Sequence, residues 1–312
     1  MIAFVFPGQG SQLIGMGRNI ADEFSAAKDV FDEVDSTLGY SLSKLIWEGD
    51  LKELTLTVNA QPAIMATSLA VVAALRSEGI TIDNALCMAG HSLGEYSALC
   101  AIGSITLSDT TRLLKMRGQY MQESVPLGKG SMAAILGLNL KAVGIVAKAC
   151  SKYGVCEVAN DNDPNQVVIS GEKIAIEKAC QHAKSLGARR AVILPVSAPF
   201  HSSLMLYAQQ KMAILLAEIN IIKPKVALIS NVTATSITDP DQIRKNLVKQ
   251  ITGTVRWRES MMKMASLGVK RFVELGPGRV LSNLIKRTIK EAEKNSVGEV
   301  DEIYAVKEYL NV

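Results

Sequence analysis

The apolar positions of this chain follow two periods, and each period predicts its own kind of element. The continuous apolar run at residues 2–6 is typical of a buried strand, and residues 85–89 are apolar or small in the same way. Helical spacing and capping signals predict helices over 19–39, 64–75, 95–105 and 108–123. The helix at 64–75 is apolar on all sides, which predicts burial, and Pro62 suits its first turn.

A change of composition at residues 125–130, rich in Pro and Gly, begins a segment with its own pattern. Its predicted elements are a strand at 131–138, a helix at 140–152, a strand at 155–159, a turn at 160–165, a strand at 166–170, a helix at 172–185 and a strand at 189–194. This β-α-β-β-α-β order is ferredoxin-like. We therefore predict a subdomain at 128–195, inserted into a core formed by 1–127 and 196–312.

The rest of the core returns to longer helices. They are predicted at 202–219, 240–252, 257–267 and from about 279 to 290. Strands are predicted at 226–231 and 271–275, with a further short strand near 303–306.

Length and composition indicate a globular protein with one large core or two domains. The 312 residues are 48% hydrophobic and 21% charged. No segment has the roughly 18 consecutive apolar residues of a membrane span, and no basic leader precedes the first strand. The five cysteines are an odd number without a Cys-x-x-Cys pair, so we expect reduced core thiols. These features favour a cytoplasmic protein without a membrane partner.

Aromatic content, histidine spacing and charge limit the kinds of partner and ligand to expect. Aromatic residues make up 5% of the chain, too few for base stacking, so no nucleic-acid partner is expected. The histidines His91, His182 and His201 are not clustered with other ligands, so no metal site is expected. The net charge is +4, and basic residues gather at 184–190 and 244–290. They indicate either solvated helix faces or a surface for an acidic partner or a phosphorylated ligand.

One short motif carries most of the candidate chemistry. Gly90-His91-Ser92-Leu93-Gly94 fits the G-x-S-x-G nucleophile elbow. A serine at the tip of a sharp strand-to-helix turn has strained backbone geometry, so the residues two positions away must be small. The turn exposes Ser92 Oγ and directs the first helical amides toward negative charge. Because the motif is short, a strand–helix turn with an incidental serine is the alternative.

A serine hydroxyl needs a base to become a nucleophile, and His201 is the best of the three histidines. His91 adjoins Ser92 in a sharp turn, where neighbouring side chains diverge. His182 lies within a predicted helix of the insert. His201 follows the insert, where the main fold resumes; a helix-capping or surface histidine is the alternative.

The glycine-rich turn after the first strand allows two interpretations. The run Gly8-Gln9-Gly10-Ser11-Gln12-Leu13 lacks the third glycine of a dinucleotide-binding loop, and no Walker lysine follows it. The alternative is that this loop places a backbone amide near the elbow.

Several separated motifs together resemble one family. They are Phe6–Gln12, Gly90–Glu95, Met116-Arg117-Gly118, Pro199-Phe200-His201-Ser202, Gln250 and Glu274–Gly278. In this order they closely resemble malonyl-CoA:acyl-carrier-protein transacylases, the acyltransferases of type II fatty-acid synthesis. The resemblance covers nearly the whole chain. It implies an α/β fold, with an α/β-hydrolase-like core around a parallel sheet and an inserted ferredoxin-like (βαββαβ) subdomain, in agreement with the element order.

The resemblance also implies a ping-pong transfer of a malonyl group. Ser92 attacks the thioester of malonyl-CoA, and His201 serves as base and then as acid. The main-chain carbonyl of Gln250 orients His201. The backbone amides of Gln9 and Leu93 form the oxyanion hole, which gives the glycine-rich loop a role.

Substrate selection is assigned by the same resemblance. Arg117 binds the free malonyl carboxylate through its planar guanidinium, although a lone arginine on an amphipathic helix is more often a surface residue. Phe200 leaves little room for an α-methyl branch. Asn160 and Asn162 correspond to a loop near the pocket mouth. The expected partners are malonyl-CoA and acyl carrier protein, the expected state is a monomer, and no cofactor or metal is expected.

Three competing interpretations remain open at the level of sequence. A serine hydrolase shares the elbow, but it places its histidine late in the chain, and none follows His201. A non-catalytic carrier-binding protein would tolerate loss of Ser92, His201 or Arg117, all of which are present. A transacylase that loads another acyl unit is disfavoured by Phe200 and Arg117.

Overall fold

Two separate β-sheets organise the protein in this computed structural model, which describes residues 1–196 and 198–310. The strands are β1 (Ile2–Phe6), β2 (Cys87–Gly90), β3 (Gly130–Leu136), β4 (Cys156–Asp163), β5 (Gln166–Glu172), β6 (Arg190–Ile193), β7 (Ala227–Ile229), β8 (Ser236–Ile237), β9 (Arg271–Leu275) and β10 (Glu293–Val297). Ser197, Asn311 and Val312, which the predicted core includes, lie outside the described residues.

Fourteen α-helices surround the sheets within the described residues. They are α1 (Arg18–Glu23), α2 (Ser25–Leu38), α3 (Leu42–Glu48), α4 (Leu51–Thr55), α5 (Thr57–Ser77), α6 (Gly94–Ala101), α7 (Leu107–Glu123), α8 (Leu140–Cys150), α9 (Lys173–Ser185), α10 (Leu206–Glu218), α11 (Pro240–Gln250), α12 (Trp257–Ser266), α13 (Val280–Thr288) and α14 (Val300–Leu310).

The larger sheet has the order β10-β9-β1-β2-β7-β8, and all of its pairings are parallel except β7 with β8. Successive side chains of β1 enter different cores: Phe4 and Phe6 pack on one face, and Ala3 and Val5 on the other. A strand covered on both faces needs a continuous apolar run, which explains the pattern at residues 2–6. The carboxyl ends of β1, β2 and β7 meet at one edge, where ligands of such sheets bind.

The smaller sheet is antiparallel, in the order β4-β5-β3-β6, with α8 and α9 packed on one face. This is the spatial order expected of a ferredoxin-like unit. The predicted α/β class, with a parallel sheet and a separate inserted sheet, is confirmed. The strands of the smaller sheet fall within 130–193, and the exact domain boundaries at 128 and 195 stay a prediction.

The central helix α5 begins earlier than the sequence predicts. It starts at Thr57, so Pro62 lies inside the helix and not in its first turn. Tertiary packing outweighs the missing hydrogen bond, because 17 residues of this helix are buried. By length and composition α5 could span a bilayer, but 89% of its apolar window is buried within the protein.

The turn predicted at 160–165 is confined to 164–165, because residues 160–163 belong to β4, which pairs with β5 with two irregularities. Tertiary partners override the turn preference of its Asn and Asp residues. Buried Asp161 pairs with Arg258 at 2.8 Å, and buried Asp163 pairs with Arg287 at 2.6 Å. The Asp161 amide also donates to Val255 O at 2.9 Å. Through these contacts β4 binds the insert to the core.

The strand predicted near 303–306 is wrong, because these residues lie in α14. Ile303 and Val306 are both buried, three positions apart on one helical face. Asp301 and Glu302 lie in the first turn, where acidic side chains favour the helix dipole. A strand does form nearby, as β10.

The ion pairs of β4 predict a large stability loss when one partner is removed. We expect Arg258→Ala to lower the free energy of unfolding by about 3 kcal/mol, because it leaves the Asp161 carboxylate buried and unpaired. Urea unfolding measures the change. Arg18→Ala breaks an exposed pair with Glu48 (side chains 51% and 54% exposed) and should cost less than about 1 kcal/mol. Equal small losses in both variants would contradict this interpretation.

Candidate active site

The elbow between β2 and α6 has the strained geometry that its sequence predicts. Ser92 has φ of 54°, a left-handed value that L-residues rarely adopt. A Cβ on Gly90 would lie 1.8 Å from Gly94 O, and a Cβ on Gly94 would lie 2.2 Å from Phe6 O. Neither position tolerates a side chain, so the two glycines let the turn close against β1 and present Ser92.

Ser92 and His201 form a hydrogen-bonded pair. Ser92 Oγ lies 2.8 Å from His201 Nε2, and His201 Nδ1 lies 2.8 Å from the main-chain carbonyl of Gln250. Because a carbonyl only accepts, Nδ1 carries the proton and Nε2 is free to accept from Ser92. No carboxylate among the described residues hydrogen-bonds His201. Burial, and next the charge of Arg117, lower the pKa of His201 to about 3, so its ring is neutral at pH 7.

Arg117 extends from α7 to the same hydroxyl. Its Nη2 donates to Ser92 Oγ at 3.1 Å and to Gln250 Oε1 at 2.8 Å, and its Nη1 donates to Gln61 Oε1 at 2.6 Å. The residue is only 1% exposed, and no carboxylate forms an ion pair with it among the described residues. The groups that hydrogen-bond the guanidinium are all neutral, and the Gln250 amide separates it from the carboxyl of Glu95, so direct compensation of the buried charge is incomplete. The site is therefore suited to an anion placed beside Ser92.

The glycine-rich loop after β1 lies directly against the elbow. A Cβ on Gly8 would lie 2.6 Å from His91 O, so the loop packs directly on the backbone of the residue before Ser92. The Gln9 side chain is held by Thr57, whose Oγ1 donates to Gln9 Oε1 at 3.0 Å. Neither the Gln9 amide nor the Leu93 amide donates to another described residue. Two free N–H groups near the serine favour the interpretation of the loop as an amide donor.

Phe200, the residue before His201, is buried, and His91 points away from Ser92. Phe200 is 7% exposed and packs in the same buried cluster as Met132 and Val168 of the smaller sheet. His91 Nε2 lies 2.9 Å from Asn162 Oδ1, so its ring is turned to the insert and not to Ser92. Burial lowers the pKa of His91.

Comparison with known proteins identifies this arrangement. Residues 3–303 match the model of the acyl transferase domain. The chain belongs to the acyl transferase family. It is 46% identical over 303 residues to the malonyl CoA-acyl carrier protein transacylase of Bacillus subtilis, covering 97% of this chain and 95% of the relative.

Two solved structures share the whole fold of this acyl transferase. The acyl-carrier-protein S-malonyltransferase of Bartonella henselae has a TM-score of 0.97 and 48% identity, covering 100% of this chain and 99% of that chain. A malonyl-transacylase in complex with its type II polyketide synthase acyl carrier protein has a TM-score of 0.96 and 38% identity, covering 99% of each chain.

The acyl transferase site also contains three residues to which sequence reasoning gave no role. Asn231, at the end of β7, accepts from the Ser92 amide at 2.8 Å and donates to Gly90 O at 2.7 Å. Gln61 holds Arg117, and Glu95 holds Gln250 through a 2.6 Å hydrogen bond. The position of Asn231, a polar residue at the carboxyl end of the strand predicted at 226–231, was a usable signal. Gln61 and Glu95 lie within apolar helical stretches, where only the tertiary fold reveals their partners.

The site brings a serine hydroxyl, a neutral histidine ring and a buried guanidinium together, and its remaining motif is structural. Glu274 in β9 accepts from the amides of Leu281 and Ser282 at 2.9 and 2.8 Å and so caps α13. Among the residues that the structure describes, no group of three or more His, Cys, Asp or Glu side chains could hold a metal ion.

Proposed function

We propose that this acyl transferase moves a malonyl group from malonyl-CoA to the phosphopantetheine thiol of acyl carrier protein, through a malonyl ester on Ser92. The observation that carries the proposal is the buried guanidinium of Arg117, which lies 3.1 Å from Ser92 Oγ without a carboxylate partner. An acyl group attached to Ser92 Oγ lies beside this guanidinium, which binds carboxylates. The free carboxylate of a malonyl group therefore favours malonyl over uncharged acyl groups.

In the first half-reaction Ser92 attacks the thioester carbonyl while His201 Nε2 takes its proton. The Gln250 carbonyl supports this transfer because it stabilises the proton on Nδ1 as the ring becomes charged. The amides of Gln9 and Leu93 bind the oxyanion of the tetrahedral intermediate. When the intermediate collapses, His201 returns the proton to the departing CoA thiolate.

In the second half-reaction the carrier's thiol replaces CoA. His201 takes the proton of that thiol, the thiolate attacks the malonyl ester, and the proton returns to Ser92 Oγ. Phe200 directly precedes His201 and is buried, and we assign it the role of limiting access of water to the ester and of leaving little space for an α-branched acyl group. Both half-reactions balance without a metal or a redox cofactor.

Arg117 provides the first test of this proposal. We expect Arg117→Ala to reduce kcat/KM for malonyl transfer to holo acyl carrier protein at least roughly thirtyfold, because truncating one partner of a buried charge pair costs about 2–5 kcal/mol. Arg117→Lys keeps the charge but not the two-pronged geometry and should recover only part of the rate. A coupled assay of CoA release measures both.

The matched control for Arg117 is Arg112→Ala, which removes an exposed arginine of the same helix. Its kcat/KM should equal that of the parent protein. If Arg117→Ala kept the kcat/KM of the parent protein, as Arg112→Ala should, the carboxylate-binding role of Arg117 would be wrong. Preferential use of acetyl-CoA by the parent protein would contradict the malonyl assignment.

Carrier docking is the second test. Arg189, Arg190 and Lys286 are exposed and belong to the basic clusters expected to meet an acidic carrier. We expect charge reversal of these three residues to raise KM for the carrier several-fold at low salt, with little change in KM for malonyl-CoA. High salt should reduce the difference. An unchanged carrier KM at low salt would exclude this docking surface.

A further inference from the structure

A hydrogen-bonded chain joins Arg117 to a buried carboxylate that the mechanism above does not use. Arg117 Nη2 donates to Gln250 Oε1 at 2.8 Å, and Gln250 Nε2 donates to Glu95 Oε2 at 2.6 Å. The two charges do not touch, because the amide of Gln250 separates them. Its oxygen faces the cation and its nitrogen faces the carboxylate, which is the orientation that both charges favour.

Glu95 is well placed to change its charge. The residue is 1% exposed, and its Oε1 makes no hydrogen bond among the described residues. Burial raises the pKa of this carboxyl to about 7, against the lowering effects of hydrogen bonds from Gln250, Asn231 and Ser230 and the charge of Arg117. A proton on Oε1 would remove the charge without breaking the bonds made by Oε2.

The ionisable groups near Glu95 are few. Arg117 of α7 is the cation that it faces, and Tyr96 of its own helix α6 is an adjacent phenol whose pKa burial raises to about 12. The elements that contribute Ser230, Asn231 and Gln250 present neutral groups to it. His201 and His91 share the site, and burial lowers the pKa of both, so they are neutral near pH 7. Glu95 is the one group here whose charge changes near neutral pH.

We propose that Glu95 is a positioning residue that balances the buried charge of Arg117, and that it takes up a proton when the malonyl carboxylate binds Arg117. This inference rests on the proposed function, because it requires an acyl group with a free carboxylate. In the unloaded enzyme the guanidinium favours ionised Glu95 across the Gln250 amide. In the loaded enzyme the malonyl carboxylate neutralises the charge of Arg117. An ionised Glu95 would then be a second anion beside one cation, so its protonated form is favoured.

The loading reaction itself exchanges no proton with solvent, so proton uptake by Glu95 can be measured separately. A serine hydroxyl and a thioester become an ester and a thiol, so bonds and protons balance without exchange with solvent while the CoA thiol stays protonated. Any net uptake near pH 7 therefore comes from groups of the protein. Because the pKa of Glu95 rises on loading, uptake is small well below pH 7, where Glu95 is already protonated, and larger above it.

The test is proton uptake during loading without a carrier. The enzyme is mixed with malonyl-CoA in weak buffer containing a pH indicator, and intact mass gives the malonylated fraction. Because the pKa of Glu95 is about 7 in the unloaded protein and rises on loading, we expect the proton uptake per malonyl group to be small at pH 6 and several-fold larger at pH 7.8. Glu95→Gln should load without this uptake. Glu177→Gln, an exposed glutamate of the insert, should behave as the parent.

Each outcome separates this inference from the proposed function. A malonyl adduct with no proton uptake, with uptake that does not change between pH 6 and 7.8, or with equal uptake in Glu95→Gln would overturn the role of Glu95 and leave the transferase intact. If Glu95→Gln does not fold or load, the pH dependence of uptake in the parent still decides. If the parent forms no malonyl adduct, the proposed function itself fails.

Discussion

The site depends on a positive charge buried beside the hydroxyl of Ser92. Arg117 is 1% exposed, and its guanidinium is held by Gln61, Gln250 and Ser92, all of which are neutral. Removing a charge from water is costly, and amide dipoles offset only part of that cost. Burial and the charge of Arg117 keep His201 neutral, so its ring can accept a proton. A substrate carboxylate would complete the charge balance, so selectivity and reactivity have one electrostatic origin.

The parallel sheet brings these groups together from distant parts of the sequence. The loop after β1 supplies free amides, the turn after β2 presents Ser92, and Asn231 after β7 fixes the Ser92 amide at 2.8 Å. Gln250 at the end of α11 uses its main chain for His201 and its side chain for Arg117 and Glu95. The ion pairs of β4 join the insert to the core, and Met132 and Val168 of its sheet belong to the same buried apolar cluster as Phe200.

Local signals predicted much of this arrangement, and tertiary contacts account for the rest. The apolar run of β1, the glycines of the elbow and the order of the insert's elements follow from steric and burial rules that act within a few residues. The strand character of residues 160–163 does not, because Asn and Asp favour turns until Arg258, Arg287 and Val255 pair with them. Glu95 and Gln61 are polar residues inside apolar helices, and only the assembled fold supplies their partners.

The most direct test is intact-mass spectrometry of the acid-quenched protein after brief exposure to malonyl-CoA alone, followed by peptide mapping. We expect one malonyl adduct on the peptide that contains Ser92, none in Ser92→Ala, and rapid discharge when holo acyl carrier protein is added. An adduct on another residue, or none, would contradict the role of Ser92. An adduct lost as fast in buffer as with the carrier would indicate a hydrolase.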